Sequence, residues 1–212
     1  MLEPFGWSVV IPGAWNCAIL TPAGIAKHIF QLDGFENLEV HMPLNAVDGF
    51  RVKHPERDVL IHVSATHLRV LPTLTTWETL QNSMQLGITA LKALPLTPVS
   101  AAGFNVKFKA ADTPDQLIGV LESSADETLN ELELTISQRG VSRQLPSGEG
   151  VLNLAFGNGD SGCEVSFNFH RGSASHEELE NWLDTPIDEV RECVSSVLGA
   201  LGLAWDKGEC DG

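Results

Sequence analysis

One four-residue segment of the chain matches a known catalytic motif. Gly159-Asp160-Ser161-Gly162 has the sequence that surrounds the nucleophilic serine of trypsin-like proteases, but no histidine motif of that family precedes it. The segment lies between VLNLAF and CEVSFNF, two runs typical of β-strands. Because Gly and Asp readily adopt turn conformations, we interpret the segment as a hairpin loop rather than as a nucleophile.

The histidines are the residues most suited to binding a metal ion. None of them forms HExxH or a comparable zinc signature, so the sequence predicts no metal site. His62 and His67 fall in neighbouring predicted strands, with Arg69 close by, and these three residues are the candidates for an active site assembled from strand residues. The seven histidines are His28, His41, His54, His62, His67, His170 and His176.

Other catalytic arrangements are missing. The acidic pairs Asp126-Glu127, Glu177-Glu178 and Asp188-Glu189 fall in loops or in first helical turns, where carboxylates favour the helix dipole and stay solvated. The chain has no P-loop and no dinucleotide fingerprint. The sequence therefore predicts no catalytic residue and no cofactor. The cysteines lack metal-ligand spacing and are interpreted as core residues or free thiols: Cys17, Cys163, Cys193 and Cys210.

The charge of the chain is distributed unevenly. Residues 1–110 contain eight acidic and eight basic side chains, whereas residues 111–212 contain twenty acidic and five basic ones, which accounts for the net charge of −15. Such a field repels phosphate backbones and disfavours direct nucleic-acid binding. It suits a basic protein partner, and it also suits a surface that only keeps the protein in solution.

The first half predicts a β-meander followed by a helix. WSVVI and WNCAIL are strand-like, Thr21-Pro22 begins a short helix, and NLEVHM, FRVKH, VLIHV and HLRVL are four further strands. Trp77, Leu80, Met84, Ile88 and Leu91 then form the apolar stripe of a long helix, with Thr75 or Thr76 as its cap. VSAAGFNVKFKA is the next strand.

The second half repeats this plan. Thr113-Pro114 begins a short helix, and LELTI, VSRQL, VLNLAF and CEVSFNF form a second meander. Ser175 caps the closing helix, which Thr185-Pro186 kinks or restarts.

The pattern predicts an α+β protein with two antiparallel β-meanders, each followed by a long helix, which amounts to a possible internal structural repeat. We assign residues 1–110 to the first unit and residues 111–212 to the second, acidic unit; the two units could form one compact domain. They could cover each other or join into one wide sheet.

Trp7, Trp15 and Trp205 are the predicted interface anchors, with burial in the core as the alternative for Trp7 and Trp15. No run of residues is long and apolar enough for a membrane span, and the N-terminus lacks the pattern of a signal peptide. We therefore expect a cytoplasmic protein without membrane attachment.

Two segments resemble a known family. WNCAILTPAGIAKHIF and LKALPLTPVSAAGFNVKF are similar to the segments WNxAILTP and LPxTPVSAxGxN of a sporadically distributed, uncharacterised bacterial family of β-meander and helix type. The resemblance implies a strand-rich body and a C-terminal helix, and it implies no catalytic residue. In plan and charge, the chain also resembles the export chaperone SecB, an acidic oligomer that binds unfolded chains.

These observations lead to one hypothesis and three alternatives. The leading hypothesis is a non-enzymatic protein-binding or adaptor protein whose acidic half docks a protein partner or a second copy of the chain. The alternatives are a SecB-like chaperone, an accessory protein of a bacterial defence system or mobile element, and an enzyme whose site contains the strand histidines.

Overall fold

All described strands of the protein form one continuous antiparallel sheet. The computed structural model describes residues 1–34, 37–42, 49–159 and 162–205. Within these residues nine strands follow the order β3-β4-β5-β6-β2-β7-β10-β9-β8, and a tenth, the short β1, also pairs with β7. Together with six α-helices, this sheet confirms the predicted α+β class.

The strands and helices are numbered in chain order. The strands are β1 (Glu3–Pro4), β2 (Ser8–Pro12), β3 (Glu39–His41), β4 (Arg51–His54), β5 (Val59–Val63), β6 (His67–Pro72), β7 (Ala101–Ala110), β8 (Arg139–Ser147), β9 (Gly150–Gly159) and β10 (Gly162–Gly172). The α-helices are α1 (Pro22–His28), α2 (Trp77–Ala93), α3 (Asp115–Leu121), α4 (Ser124–Glu131), α5 (His176–Leu183) and α6 (Ile187–Ala200).

The two predicted meanders join side by side into a single wide sheet. β7 pairs with β10 over ten positions, from Ala101↔Gly172 to Ala110↔Cys163. On its other side β7 pairs with β2 and, further along, with β1. The strand that closes the first half of the chain is therefore the neighbour of a second-half strand along its whole length.

The helices supply the apolar cover of one face of the sheet. β7 and β10 turn alternate large side chains towards this face, including Phe104, Phe108, Phe167 and Phe169, all of them buried. The rings of Phe104 and Phe169 stack with their centroids 4.8 Å apart. Because alternate residues of a strand point to opposite faces, the residues between them lie on the other side of the sheet.

The long helix α2 confirms the predicted stripe. Thr76 is its N-cap: the Thr76 hydroxyl accepts a hydrogen bond from the backbone N–H of Thr79, and the Thr79 side chain accepts one from the backbone N–H of Thr76. Gly87 lets the helix approach the sheet and α5 closely, because a Cβ there would lie 3.1 Å from Leu183 and 3.4 Å from Ile11. The predicted stripe is buried throughout: Trp77, Leu80, Met84, Ile88 and Leu91.

Two predicted strands are wrong. WNCAIL forms a turn, in which the Asn16 side chain accepts a hydrogen bond from the backbone N–H of Ala18 and the Trp15 indole donates to the Ile11 carbonyl. LELTI is irregular, because Glu133 has a positive φ of 58° that interrupts an extended chain. Leu132 and Leu134 remain 64% and 53% exposed, so this segment does not contribute to the sheet's core.

One helix was not predicted. α4 has no buried residue and therefore no apolar stripe that periodicity could detect. The sequence feature that could have indicated α4 is the spacing of Ser123 and Asp126 at its start. The Ser123 hydroxyl donates a hydrogen bond to the Asp126 carboxylate at 3.1 Å. Asp126 also accepts a 2.6 Å hydrogen bond from Arg139, so α4 is tied to the start of β8.

Replacing the cap of α2 tests which threonine begins the helix. We expect Thr76→Ala to lower the free energy of unfolding by about 1 kcal/mol, because the backbone N–H of Thr79 loses the hydroxyl that accepts its hydrogen bond. Thr75→Ala, one residue earlier, is the matched control and should change it by less than about 0.5 kcal/mol. Urea unfolding of both variants gives the comparison; equal effects would contradict the assignment of the cap.

Candidate functional site

The face of the sheet opposite the helices is polar and carries an unbroken ladder of hydrogen-bonded side chains. The ladder crosses five adjacent strands: the Gln144 amide donates to Asn153 at 2.9 Å, and Asn153 donates to Asn168 at 2.9 Å. Asn168 then donates to Asn105 at 2.8 Å, and Asn105 donates to the Ser8 hydroxyl at 3.0 Å. We call this face the open face, because all side chains of the ladder come from strands and none comes from a helix.

The register of the strands explains the ladder. Asn105 lies directly opposite both Ser8 and Asn168, and Asn153 lies directly opposite both Asn168 and Gln144. Side chains on opposite positions of neighbouring strands are within reach of one another. Each inner amide therefore both donates and accepts, and each of these partly buried groups has its partner.

A second row of residues crosses the first half of the open face and carries the positive charges of two arginines. His41 lies opposite Arg51, Arg51 opposite His62, and His62 opposite Arg69. We call these four residues the cationic row. Glu39 is 3.5 Å from Lys53 and 4.0 Å from His41, so it compensates the β3 end of the row. Within the described residues, Arg51 and Arg69 are exposed and form no ion pair shorter than 4.0 Å.

The predicted cluster of His62, His67 and Arg69 does come together. The rings of His62 and His67 meet edge to face with centroids 5.7 Å apart. His67 Nδ1 lies 3.0 Å from the Ser64 hydroxyl and 3.1 Å from the Thr66 hydroxyl, whereas His67 Nε2 is buried and has no hydrogen-bond partner in the described chain.

The electrostatics of this cluster favour a neutral imidazole. Burial lowers the pKa of His67, and the positive charge of Arg69 and the neighbouring His62 lower it further. Since the ring is bonded through Nδ1 to hydroxyls, it is held in place as part of the β5–β6 turn. The arrangement is a hydroxyl–imidazole group that could exchange a proton, and no carboxylate of the described residues is hydrogen-bonded to this ring.

The remaining histidines are dispersed. His54 lies on the helical side, buried against Phe30 with ring centroids 5.1 Å apart. His176 bonds two backbone carbonyls, those of Leu91 and Thr97, and thereby ties α5 to the end of α2. Among the residues that the structure describes, no three His, Cys, Asp or Glu side chains are grouped so that they could hold a metal ion.

The three predicted interface tryptophans are buried. Trp7, Trp15 and Trp205 are 1%, 3% and 8% exposed. Trp7 packs against Trp77 with ring centroids 4.7 Å apart, and Trp205 meets Trp77 edge to face at 6.2 Å. Each of the three therefore packs in the core; their contact with a partner stays a prediction, and the surfaces considered below consist of other residues.

The protease-like tetrapeptide occupies the end of a hairpin. Gly159 ends β9, Gly162 begins β10, and the two are paired. Asp160 and Ser161 lie outside the described residues. Three cysteines are free thiols, and burial raises the pKa of Cys163 and Cys193, which keeps these two protonated. Cys210 lies outside the described residues.

A shallow depression of about 590 Å³ lies on the open face at the other end of the sheet. Its floor is made of small residues, including Gly140, Ala155 and Gly157, and Arg139 and Glu164 stand at its sides. Arg139 is engaged with Asp126, whose pKa the guanidinium holds below its usual range. The depression therefore contains mostly backbone and small polar groups.

Comparison with other proteins gives no assignment. No protein-family model matches the chain, and no curated protein matches it significantly. The resemblance to the sporadic bacterial family and to SecB therefore stays a prediction.

Sequence reasoning placed most of the contributing strands but did not find the ladder, and of the cationic row it grouped only His62 and Arg69. The signal was present in single strands, where Asn168 and Asn105 alternate with buried phenylalanines. What was missing was the register and the order of strands, which bring together residues up to 97 positions apart, such as Asn105 and Ser8.

Breaking the ladder at its centre tests whether it acts as a unit. We expect Asn168→Ala to lower the free energy of unfolding by about 1–3 kcal/mol, because Asn153 loses its acceptor and Asn105 loses its donor. Asn82→Ala, at an exposed position of α2, is the matched control and should cause no loss. Thermal unfolding followed by circular dichroism distinguishes the two; equal melting temperatures would argue against a structural role of the ladder.

The buried imidazole of His54 predicts a pH dependence of stability. Burial and the charge of Arg57 lower the pKa of His54 in the folded protein, against the weaker opposing effect of Glu56. The unfolded chain then takes up the proton first, so stability is full above about pH 6.5 and decreases as the pH falls towards 5. His54→Phe, which keeps an aromatic ring beside Phe30, should reduce this decrease. Urea unfolding at pH 7 and pH 5 measures it, and an unchanged pH dependence would contradict the assignment.

Proposed function

We propose that this protein is a non-enzymatic binding protein whose acidic second half docks a basic protein partner. The observation that supports the proposal most directly is the surface of the last two helices. α5, α6 and Asp184, which follows α5, together carry seven carboxylates and one cationic side chain, Arg191. We call the outward side of these helices the acidic helix surface.

Packing turns the carboxylates of these helices outward. Both helices face the core with a narrow apolar side, and most of their acidic residues lie on the exposed side. Six of the seven are exposed: Glu177, Glu178, Asp184, Asp188, Glu189 and Glu192. The buried side consists of Leu179, Leu183, Val190, Val194 and Leu198. A surface of one sign steers an oppositely charged partner and raises its association rate.

Some carboxylates of this surface have internal partners. Arg171 binds Glu178 at 2.7 Å and also donates to the backbone carbonyl of Glu149. This guanidinium holds the pKa of Glu178 below its usual range. Lys92 is 3.9 Å from Glu180, and Gln85 donates to Asp184 at 2.9 Å. The contacts of Lys92 and Gln85 fix α5 against α2. The carboxylates at the start of α6, Asp188 and Glu189, are exposed to solvent.

None of the described helices is long and apolar enough to cross a membrane. We propose in addition that the protein is located in the cytoplasm and that it binds either a protein partner or a second copy of the chain.

The test is capture of a basic partner from the native host followed by native mass spectrometry. The triple variant Glu177→Gln, Glu189→Gln, Glu192→Gln removes three exposed charges from the acidic helix surface and leaves one first-turn carboxylate in each helix, Glu178 and Asp188. We expect it to weaken partner binding about tenfold or more at low salt. Raising the ionic strength should weaken wild-type binding in the same direction.

The matched control removes three exposed charges near α4 instead: Glu122→Gln, Glu127→Gln and Glu133→Gln. Its net charge equals that of the first variant, so a general field effect would weaken both equally. Retained binding in the control and lost binding in the first variant supports docking at the acidic helix surface. Binding that neither variant nor salt affects would contradict the proposal.

A chaperone function is the second candidate, and a separate observation favours it. An apolar groove of about 460 Å³ lies between the turn after β2 and the end of α2. It contains Leu96, which is 94% exposed, and Ile19, which is 42% exposed, together with Leu94, Pro95 and Pro98. Exposed apolar residues in a groove suit segments of unfolded chains. Suppression of the aggregation of a denatured client, lost in Leu96→Ser, would support this function; no suppression at excess protein would exclude it.

A further inference from the structure

The open face carries a local conflict that the fold does not require. Arg51 and Arg69 both lie directly opposite His62, on the strands to either side of it. The two guanidinium groups therefore share one face of the sheet two strands apart, and their like charges repel each other across His62. Arginine at these positions therefore has a cost for the sheet, and such costs are concentrated where a protein binds something.

The charge of this region also opposes that of the whole chain. Strands β3 to β6 place Arg51, Lys53 and Arg69 on the open face against one carboxylate, Glu39, whereas the chain has a net charge of −15. The cationic row is thus a local positive region in an acidic molecule. A binding partner for it must bring negative charge and must be small enough to avoid the acidic remainder of the protein.

A small apolar area borders the row. Leu60 and Leu71 are opposite each other on β5 and β6, one pleat away from His62 and Arg69 on the same face, and both are partly exposed. Lys53 lies opposite Leu60 on the next strand. Cations beside leucines fit a ligand in which carboxylates and apolar side chains alternate.

The geometry favours a peptide over a nucleic acid. Neighbouring strands are about 4.8 Å apart, so Arg51 and Arg69 are separated by roughly 10 Å, a distance that a few residues of a peptide span. None of the strands β3 to β6 contains Phe, Trp or Tyr, on which unpaired bases stack. A long polyanion would meet the repulsion of the acidic surface beyond the row.

We propose that the cationic row, with Leu60 and Leu71, binds an acidic, leucine-containing segment of a partner protein. This site lies on the open face of the sheet, whereas the proposed function concerns the acidic helix surface, so the two can fail independently. A protein with both surfaces connects a basic partner on one side to an acidic segment on the other.

The experiment is a fluorescence anisotropy titration of the full chain with a labelled peptide rich in glutamate and containing leucine. We expect saturable binding at low salt that weakens as the ionic strength rises. The double variant Arg51→Gln, Arg69→Gln should bind about tenfold less tightly. The control Lys92→Gln, Arg143→Gln removes two exposed cations elsewhere and should bind as the wild type does.

The fold of the double variant has its own readout. Because the substitutions relieve like-charge repulsion, its melting temperature should not fall below that of the wild type. A comparison that needs no variant uses the same peptide with lysine in place of glutamate, which should not bind the wild type.

Several results would overturn the proposal. They are no binding of the glutamate peptide, equal binding by the double variant, and binding of the lysine peptide. Tighter, Arg51- and Arg69-dependent binding of oligothymidylate would overturn it in favour of nucleic acid. Self-association at low salt that the double variant abolishes and the peptide does not compete with would assign the row to a second copy of the chain.

Discussion

The pairing of β7 with β10 is the interaction on which the rest of the structure depends. It joins strands from the two halves of the chain over ten consecutive positions, and it sets one register for both meanders. The same strand is held on its other side by β2. A shift of β7 by one residue would turn Phe104 and Phe108 to the open face and Asn105 to the core, so burial of the phenylalanines specifies the register.

Both surfaces discussed above follow from that register. With the apolar residues committed to one face, the helices must pack there, and their charged sides become the outer surface of the protein. The alternate positions of the strands become the open face, where polar groups need partners of their own. On β8, β9, β10, β7 and β2 they find each other in the ladder. On β4 and β6 they include Arg51 and Arg69, which form no ion pair shorter than 4.0 Å within the described residues.

The fold could be predicted where local pattern and burial agree. The apolar spacing of α2 and the alternation of β10 are strong because one face of each element is buried and the other is not. Prediction failed where the local signal had another cause: Trp15 and Leu20 of WNCAIL fill the core from a turn, and Leu132 and Leu134 of LELTI stay exposed. Trp7 and Trp15 illustrate a different limit, since a residue's type does not distinguish an indole at an interface from one in the core. Of the cationic row, sequence analysis grouped only His62 and Arg69, because Arg51 and His41 become their neighbours only through strand pairing.

The direction of the hydrogen bonds in the ladder has a consequence for how this protein can change. Every amide from Gln144 to Asn105 donates towards Ser8, so each inner position must accept from one side and donate to the other. Only side chains with both capacities at the right length meet this condition, chiefly Asn, and Gln, Ser or Thr where the spacing permits. A single replacement by an apolar residue leaves two neighbours without partners, whereas replacement of adjacent rungs together leaves fewer. We therefore expect the residues of the ladder to change together on neighbouring strands during evolution. Related sequences should show correlated changes at ladder positions that lie far apart in the chain.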